Sequence, residues 1–136
     1  MNDVRKRLDS EPFTTLDGST IRELMHPSSS AVRAQSLAEA RLSAGATTTL
    51  HLHRQTEELY HILSGSGRMH LDGKQFDVAA GDTVLIPPGI PHCIHNPGPV
   101  ELRFLCCCAP AYDDRDTFLL DPAEEAGSAA GTRRPE

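Results

Sequence analysis

Apolar and polar positions alternate along much of this chain instead of recurring every three to four residues. In Ala34–Gly45, Ser36, Ala38, Ala40 and Leu42 share one parity, against Gln35, Glu39 and Arg41 on the other. That is the period of a half-buried strand. The alanines, leucines and glutamate of this stretch also suit a helix, but everything after it reads β, which selects the strand. Thr47–His53 is β-branched and alternating. Glu58–Gly65 is a strand running into a glycine turn. "TVLIPPG" is a short apolar run stopped by prolines, "PHCIHN" follows it, and Val100–Cys108 is the last long strand. Asp17-Gly18 inside Phe13–Leu24, and Asp72-Gly73 further on, are two-residue hairpin signals. Turn signals recur about every 8–12 residues, the spacing of an all-β sandwich or barrel.

This pattern divides the chain into an N-terminal extension with a hairpin (1–33), a barrel (34–112) and a C-terminal extension (113–136). Residues 1–12 are a polar lead-in and His26–Ser30 is a loop. The tail from about Asp121 has almost no large apolar residue, which predicts disorder.

Composition narrows the picture. With 136 residues the chain is one domain, and with no Trp, two Tyr and four Phe its core must be mostly aliphatic. A net charge of −6 lacks the basic footprint that nucleic acid requires. The opening "MNDVRKRLDSEPF" has no apolar core for a signal peptide, and no apolar run reaches membrane-spanning length. Cys106–Cys108 are consecutive, so neighbouring thiols point to opposite faces and make a poor disulfide framework. A cytoplasmic protein with reduced thiols is expected, its partner a small molecule rather than nucleic acid or membrane.

The chemistry concentrates in two stretches. In an extended strand, residues two apart share a face, so His51 and His53 point one way and Leu50 and Leu52 the other. With a carboxylate from the next strand, they supply the parts of a metal site; alternatively, they form the polar outer side of an amphipathic strand. The second stretch, "GDTVLIPPGIPHCIHN", places His92 just after the rigid turn Pro87-Pro88-Gly89.

Together these stretches resemble the cupins. Gly45, His51, His53, Glu58 and Gly65 match the spacing of the first cupin motif; Gly81, Pro87, Gly89, His92 and Asn96 match the second. The resemblance implies an antiparallel jelly-roll barrel holding one divalent transition metal on His51, His53, Glu58 and His92. Iron is the expected metal, with Mn, Ni, Zn or Cu as alternatives. Glu58 is chosen over Glu57 because it alone has the motif's distance to Gly65, and it shares parity with Tyr60 and Ile62.

Tyr60, two past the glutamate, should face the cavity as a general acid or base, an arrangement similar to that of cupin-type dimethylsulfoniopropionate lyases. His61 should face outward. His95 lies behind the ligands or at the surface, His70 is a surface or interface residue, and His26 has no assigned role. Cys93 should point away from the metal. Cys106–Cys108 act as small buried hydrophobes or as pocket thiols, with one or two of them inward.

The pocket is expected to be small and mostly apolar, formed by Thr47, Thr49, Ile62, Met69, Val84, Ile86 and Phe104. No cation clearly faces inward; Arg68 and Arg103 are the nearest. The expected function is a metal-dependent enzyme, first a non-haem dioxygenase, alternatively a lyase, isomerase or cyclase, and last a binding module without turnover. Cupins commonly pair through sheet edges, so a homodimer formed through the N-terminal hairpin is expected.

Overall fold

The protein is described from a computed structural model, in which residues 4–121 are placed. The expected disorder of the tail therefore falls almost wholly outside the described residues. In chain order the strands are β1 (Phe13–Thr14), β2 (Thr20–Met25), β3 (Ser36–Leu42), β4 (His51–His53), β5 (Glu57–Ser64), β6 (Ser66–Leu71), β7 (Lys74–Ala79), β8 (Thr83–Ile86), β9 (His92–His95), β10 (Leu102–Ala109) and β11 (Thr117–Leu119). They form two antiparallel sheets, ordered β1-β2-β3-β10-β5-β8 and β11-β4-β9-β6-β7. The fold is all-β, as the alternation predicts, and takes the two-sheet jelly-roll form that the resemblance implies. No helix among the described residues is long and apolar enough to cross a membrane.

Alternation becomes burial strand by strand. On β5, Glu58, Tyr60 and Ile62 are buried while Glu57 and Leu59 are exposed. On β3, Ser36, Ala38, Ala40 and Leu42 all face inward. The main core fills the space between the sheets with Ile62 and Phe104 from one, and Met69, Val78 and Ile94 from the other. Burying each of these side chains contributes roughly 1.5–3 kcal/mol. A second cluster lies behind β4, where Leu50, Leu52 and Cys93 pack against Leu120. That cluster fixes the facing of β4: with Leu52 and the preceding Leu50 turned outward and covered, its histidines face the barrel interior.

Turns set the registers. Asp72 (φ 54°) and Gly73 (φ 79°) form the expected two-residue turn between β6 and β7. The first hairpin differs from expectation. The Gly18 N–H donates to the Thr15 carbonyl at 3.0 Å and the Thr15 N–H to the Ser19 carbonyl at 2.9 Å, with Gly18 at φ 94°. This is a three-residue loop, Leu16–Gly18, not a two-residue one. Its second strand pairs with β3 of the same chain, so only β1 is left at the edge.

Glu39 is 3% exposed on the outer face of β3, where Arg7 (2.7 Å) and Arg103 (2.8 Å) close over it. The Arg7 guanidinium, aided by Arg103, outweighs burial and holds the Glu39 carboxyl down at about 2.

Candidate metal centre

The three motif histidines come from the smaller sheet. β4 supplies His51 and His53, and β9 places His92 directly opposite His51. The proline turn is tied to the same place, because the Gly89 N–H donates to the His53 carbonyl at 2.6 Å. Gly89 sits at φ 80°, where a side chain would be strained. Glu58 comes from the larger sheet, so the cluster bridges the barrel. All three rings and the Glu58 carboxyl are buried. Glu58 Oε1 lies 3.2 Å from His53 Nε2 and 3.5 Å from His92 Nε2, and the ligand atoms of His51, His53 and His92 lie within 4.8 Å of one another.

Hydrogen bonds behind the rings fix their tautomers. His51 Nδ1 meets the Thr49 carbonyl at 2.7 Å, and His92 Nδ1 meets the Ile90 carbonyl at 2.9 Å. A carbonyl only accepts, so both Nδ1 atoms carry the proton. His53 Nδ1 meets Thr117 Oγ1 at 3.2 Å, and the Thr117 hydroxyl donates onward to the Asp113 carbonyl. Thr117 therefore accepts from His53. Neutral rings held this way turn three Nε2 lone pairs into the cavity, the arrangement metal-ligating histidines adopt.

Those lone pairs face a carboxylate oxygen. His92 Nε2 and Glu58 Oε1 are buried without a hydrogen-bond partner among the described residues. Lone pairs turned toward one another at this range need a cation between them, either a proton or a metal ion. Protons show the same demand. Burial pulls the His53 ring toward neutrality, but Glu58 overrides it and raises its pKa. Burial likewise opposes the Glu58 charge, and the close approach of the His53 and His92 rings overrides it and holds the carboxyl below its ordinary range. Burial, with His92 and His53 alongside, keeps His51 neutral. The donor set fits a divalent transition metal.

The cavity beside the cluster is small, about 30 Å³. Tyr60, Phe104, Cys106 and Cys108 line one wall, and Thr15, Asp17, Ser19 and Glu23 of the first hairpin line another. Its accessible surface is mostly apolar, as expected, but largely different residues supply it. Thr47 and Thr49 lie at the surface, and Ile62, Met69, Val84 and Ile86 are core residues outside the lining. Arg68 pairs with Asp77 at 2.6 Å and Arg103 with Glu39, both away from the cavity.

Two of the three consecutive cysteines face inward. Cys106 lies opposite Tyr60 and Cys108 opposite Glu58. The Cys108 thiol donates to Glu58 Oε2 at 3.4 Å, so it does more than fill space. Tyr60 packs edge-on near His92, with ring centres 5.9 Å apart.

Of the remaining histidines, His61 bonds Thr83 and His95 bonds Thr47 on the outer surface. His26, given no role, holds the Tyr112 carbonyl at 2.8 Å. This positions Tyr112, whose ring lies 5.9 Å from that of His53. The alternation did not single out Asp17, Tyr112, Thr117 or Asp116, the last of which accepts from the N–H groups of Arg54, Gln55 and Thr56 and pins the loop between β4 and β5. For Asp17 the available signal, Asp-Gly, speaks of a turn and not of a site.

Comparison with known proteins agrees with this architecture. The Cupin domain family matches residues 38–108. The uncharacterized protein MJ1618 of Methanocaldococcus jannaschii is 50% identical over 111 residues, 82% of this chain and 89% of that protein. An oxalate-binding protein of Thermotoga maritima is 36% identical over 84 residues, 62% of this chain and 65% of that protein. Among solved structures, the polyketide cyclase RemF from Streptomyces resistomycificus superposes with a TM-score of 0.75 over 97% of this chain and 94% of that one, at 21% identity, a likeness of fold. A family match over more than half the chain, on a two-sheet barrel whose histidine motifs converge, makes this protein a member of the cupin family.

Proposed function

We propose that the protein is a metal-dependent enzyme that moves protons on a small organic substrate, as a lyase, isomerase or cyclase. His51, His53, His92 and Glu58 would hold the metal. Bound there, a divalent ion supplies Lewis acidity toward a substrate oxygen. The observation that carries the reading is the set of proton-bearing side chains beside that cage. Burial, with the Glu58 charge nearby, keeps the Tyr60 hydroxyl and the Cys106 and Cys108 thiols protonated. Tyr60 is the proposed proton donor, and Phe104 packs its ring in place at 4.7 Å.

The lining also bears on the substrate. It carries the carboxyl groups of Asp17, Glu23 and Glu58 and no Lys or Arg. A neutral compound bearing hydroxyl or amine donors suits it. A dicarboxylate or a sugar phosphate would find no Lys or Arg to pair its second charged group.

A dioxygenase is the second reading. Three imidazoles and one carboxylate leave two positions on an octahedral ion, enough for substrate and O₂. Iron is the metal proposed in that case. A cytoplasmic setting and a homodimer belong to the same proposal; a monomer mass by light scattering would overturn the dimer.

Elemental analysis of untagged protein tests the metal. About one ion per chain, lost in His51→Ala, is expected, and a well-folded protein that takes up no metal on reconstitution would sink the reading. Product formation under strict anaerobiosis supports proton chemistry. Substrate-dependent O₂ uptake supports the dioxygenase.

A further inference from the structure

We propose that Asp17, at the tip of the N-terminal hairpin, is a fifth ligand to the metal, so that the hairpin closes the site. This rests on the metal reading above and adds a carboxylate that the two histidine-bearing motifs do not contain.

The placement is specific. Asp17 Oδ1 accepts from the Ser19 N–H at 2.9 Å and from the Ser19 hydroxyl at 2.7 Å. The other oxygen, Oδ2, lies 3.6 Å from His51 Nε2, with the side chain 13% exposed. The hairpin tip is tied to the strand that carries the histidines, because the Thr49 N–H donates to the Asp17 carbonyl at 2.7 Å. The Thr49 carbonyl in turn takes the His51 Nδ1 proton. One residue thus aligns Asp17 with His51.

The one close Asp17 contact suits shared coordination, with Asp17 and Glu58 drawn in toward the compact group of three histidines. Two donors about 2.1 Å from one ion stand about 3 Å apart when adjacent and about 4.2 Å apart when opposite. The Asp17–His51 separation of 3.6 Å falls in that range, as do the 3.2 and 3.5 Å separations from Glu58 to His53 and His92. Charge agrees as well. Three neutral imidazoles with two carboxylates balance a divalent ion, whereas Glu58 alone leaves a buried net positive charge. Five donors leave one octahedral position, so a chelating substrate would have to displace Asp17.

Titrating Co²⁺ into metal-stripped full-length protein tests this, with affinity from chelator competition and the visible spectrum as second readout. Asp17→Asn should weaken binding about tenfold or more and shift the Co²⁺ bands. Ser19→Ala, which removes one hydrogen bond from the turn and keeps the carboxylate, should stay within about threefold of wild type. In the wild type, Co²⁺ should also slow amide exchange across Phe13–Met25. The proposal is overturned if Asp17→Asn leaves affinity and spectrum unchanged, if Ser19→Ala weakens binding equally, or if exchange in the hairpin does not slow. Those outcomes leave the metal reading standing. A wild type that takes up no Co²⁺ defeats both.

Discussion

His92 and Asn96 belong to one short motif, and both are buried, yet their environments are opposite. Asn96 spends its hydrogen-bonding capacity inside the protein. Its amide donates to the Leu42 and Val100 carbonyls at 2.9 Å each, and its carbonyl accepts from the Gly98 N–H at 2.8 Å. His92 spends one ring nitrogen on Ile90 and leaves Nε2 buried without a partner beside Glu58 Oε1, which is also unpartnered. Since buried polar atoms are nearly always satisfied, the contrast separates two jobs. Asn96 ties the ends of β3, β9 and β10 together, whereas His92 awaits something from outside the chain. A polar residue's presence in a motif does not reveal which job it has; the accounting of its partners does.

Substitution can break this comparison. Asn96→Ala should have the largest effect, destabilising the protein by about 3–4 kcal/mol because three backbone groups lose their partner. Urea unfolding would show it, and an unchanged midpoint would refute the structural role. His51→Ala comes next. At a metal concentration about a hundred times Kd, the wild type should gain about 2.7 kcal/mol of stability, and the variant should lose that gain while its metal-free stability moves far less. Thermal unfolding with and without metal checks both halves.

Glu39 sharpens the satisfied side, because it is a buried polar group whose partners are charged. Its folded pKa of about 2 lies below the ordinary value of 4.5. Its stabilisation is therefore fully present above about pH 4.5 and is lost as the pH falls toward about 2. A loss on the order of 1 kcal/mol is expected, since Arg7 and Arg103 are both partly exposed, and Glu39→Gln should flatten that part of the profile. The smallest effect belongs to Cys108→Ala. It removes a weak thiol donor to Glu58 and should destabilise by under about 1 kcal/mol, with metal affinity shifting only severalfold.

Much of the site was legible because its determinants are local. His51 and His53 share a face by strand parity, with Leu50 and Leu52 on the other, and the same rule turned Glu58 and Tyr60 inward and Glu57 outward. What stayed hidden depends on registers between distant segments. Thr117 reaches His53 only because β11 pairs with β4. Cys108 meets Glu58 only because β10 pairs with β5 in one register. The residues that form the lining were misjudged for the same reason. Parity tells inward from outward, but it does not say how far along the barrel an inward residue lies, and Ile62, Met69, Val84 and Ile86 lie in the core beyond the cavity.

The sequence by itself determined the strand alternation, the Asp72-Gly73 turn and the spacing that brings two histidine-bearing stretches into a cupin barrel. These follow from backbone preferences and side-chain parity, which act over a few residues. Tertiary structure alone decided which histidine nitrogens face the cavity, which thiols border it, and that the first hairpin folds back onto its own β3 with Asp17 beside His51. Those outcomes rest on hydrogen bonds between residues far apart in the chain, and such contacts exist only once both sheets have closed around the core.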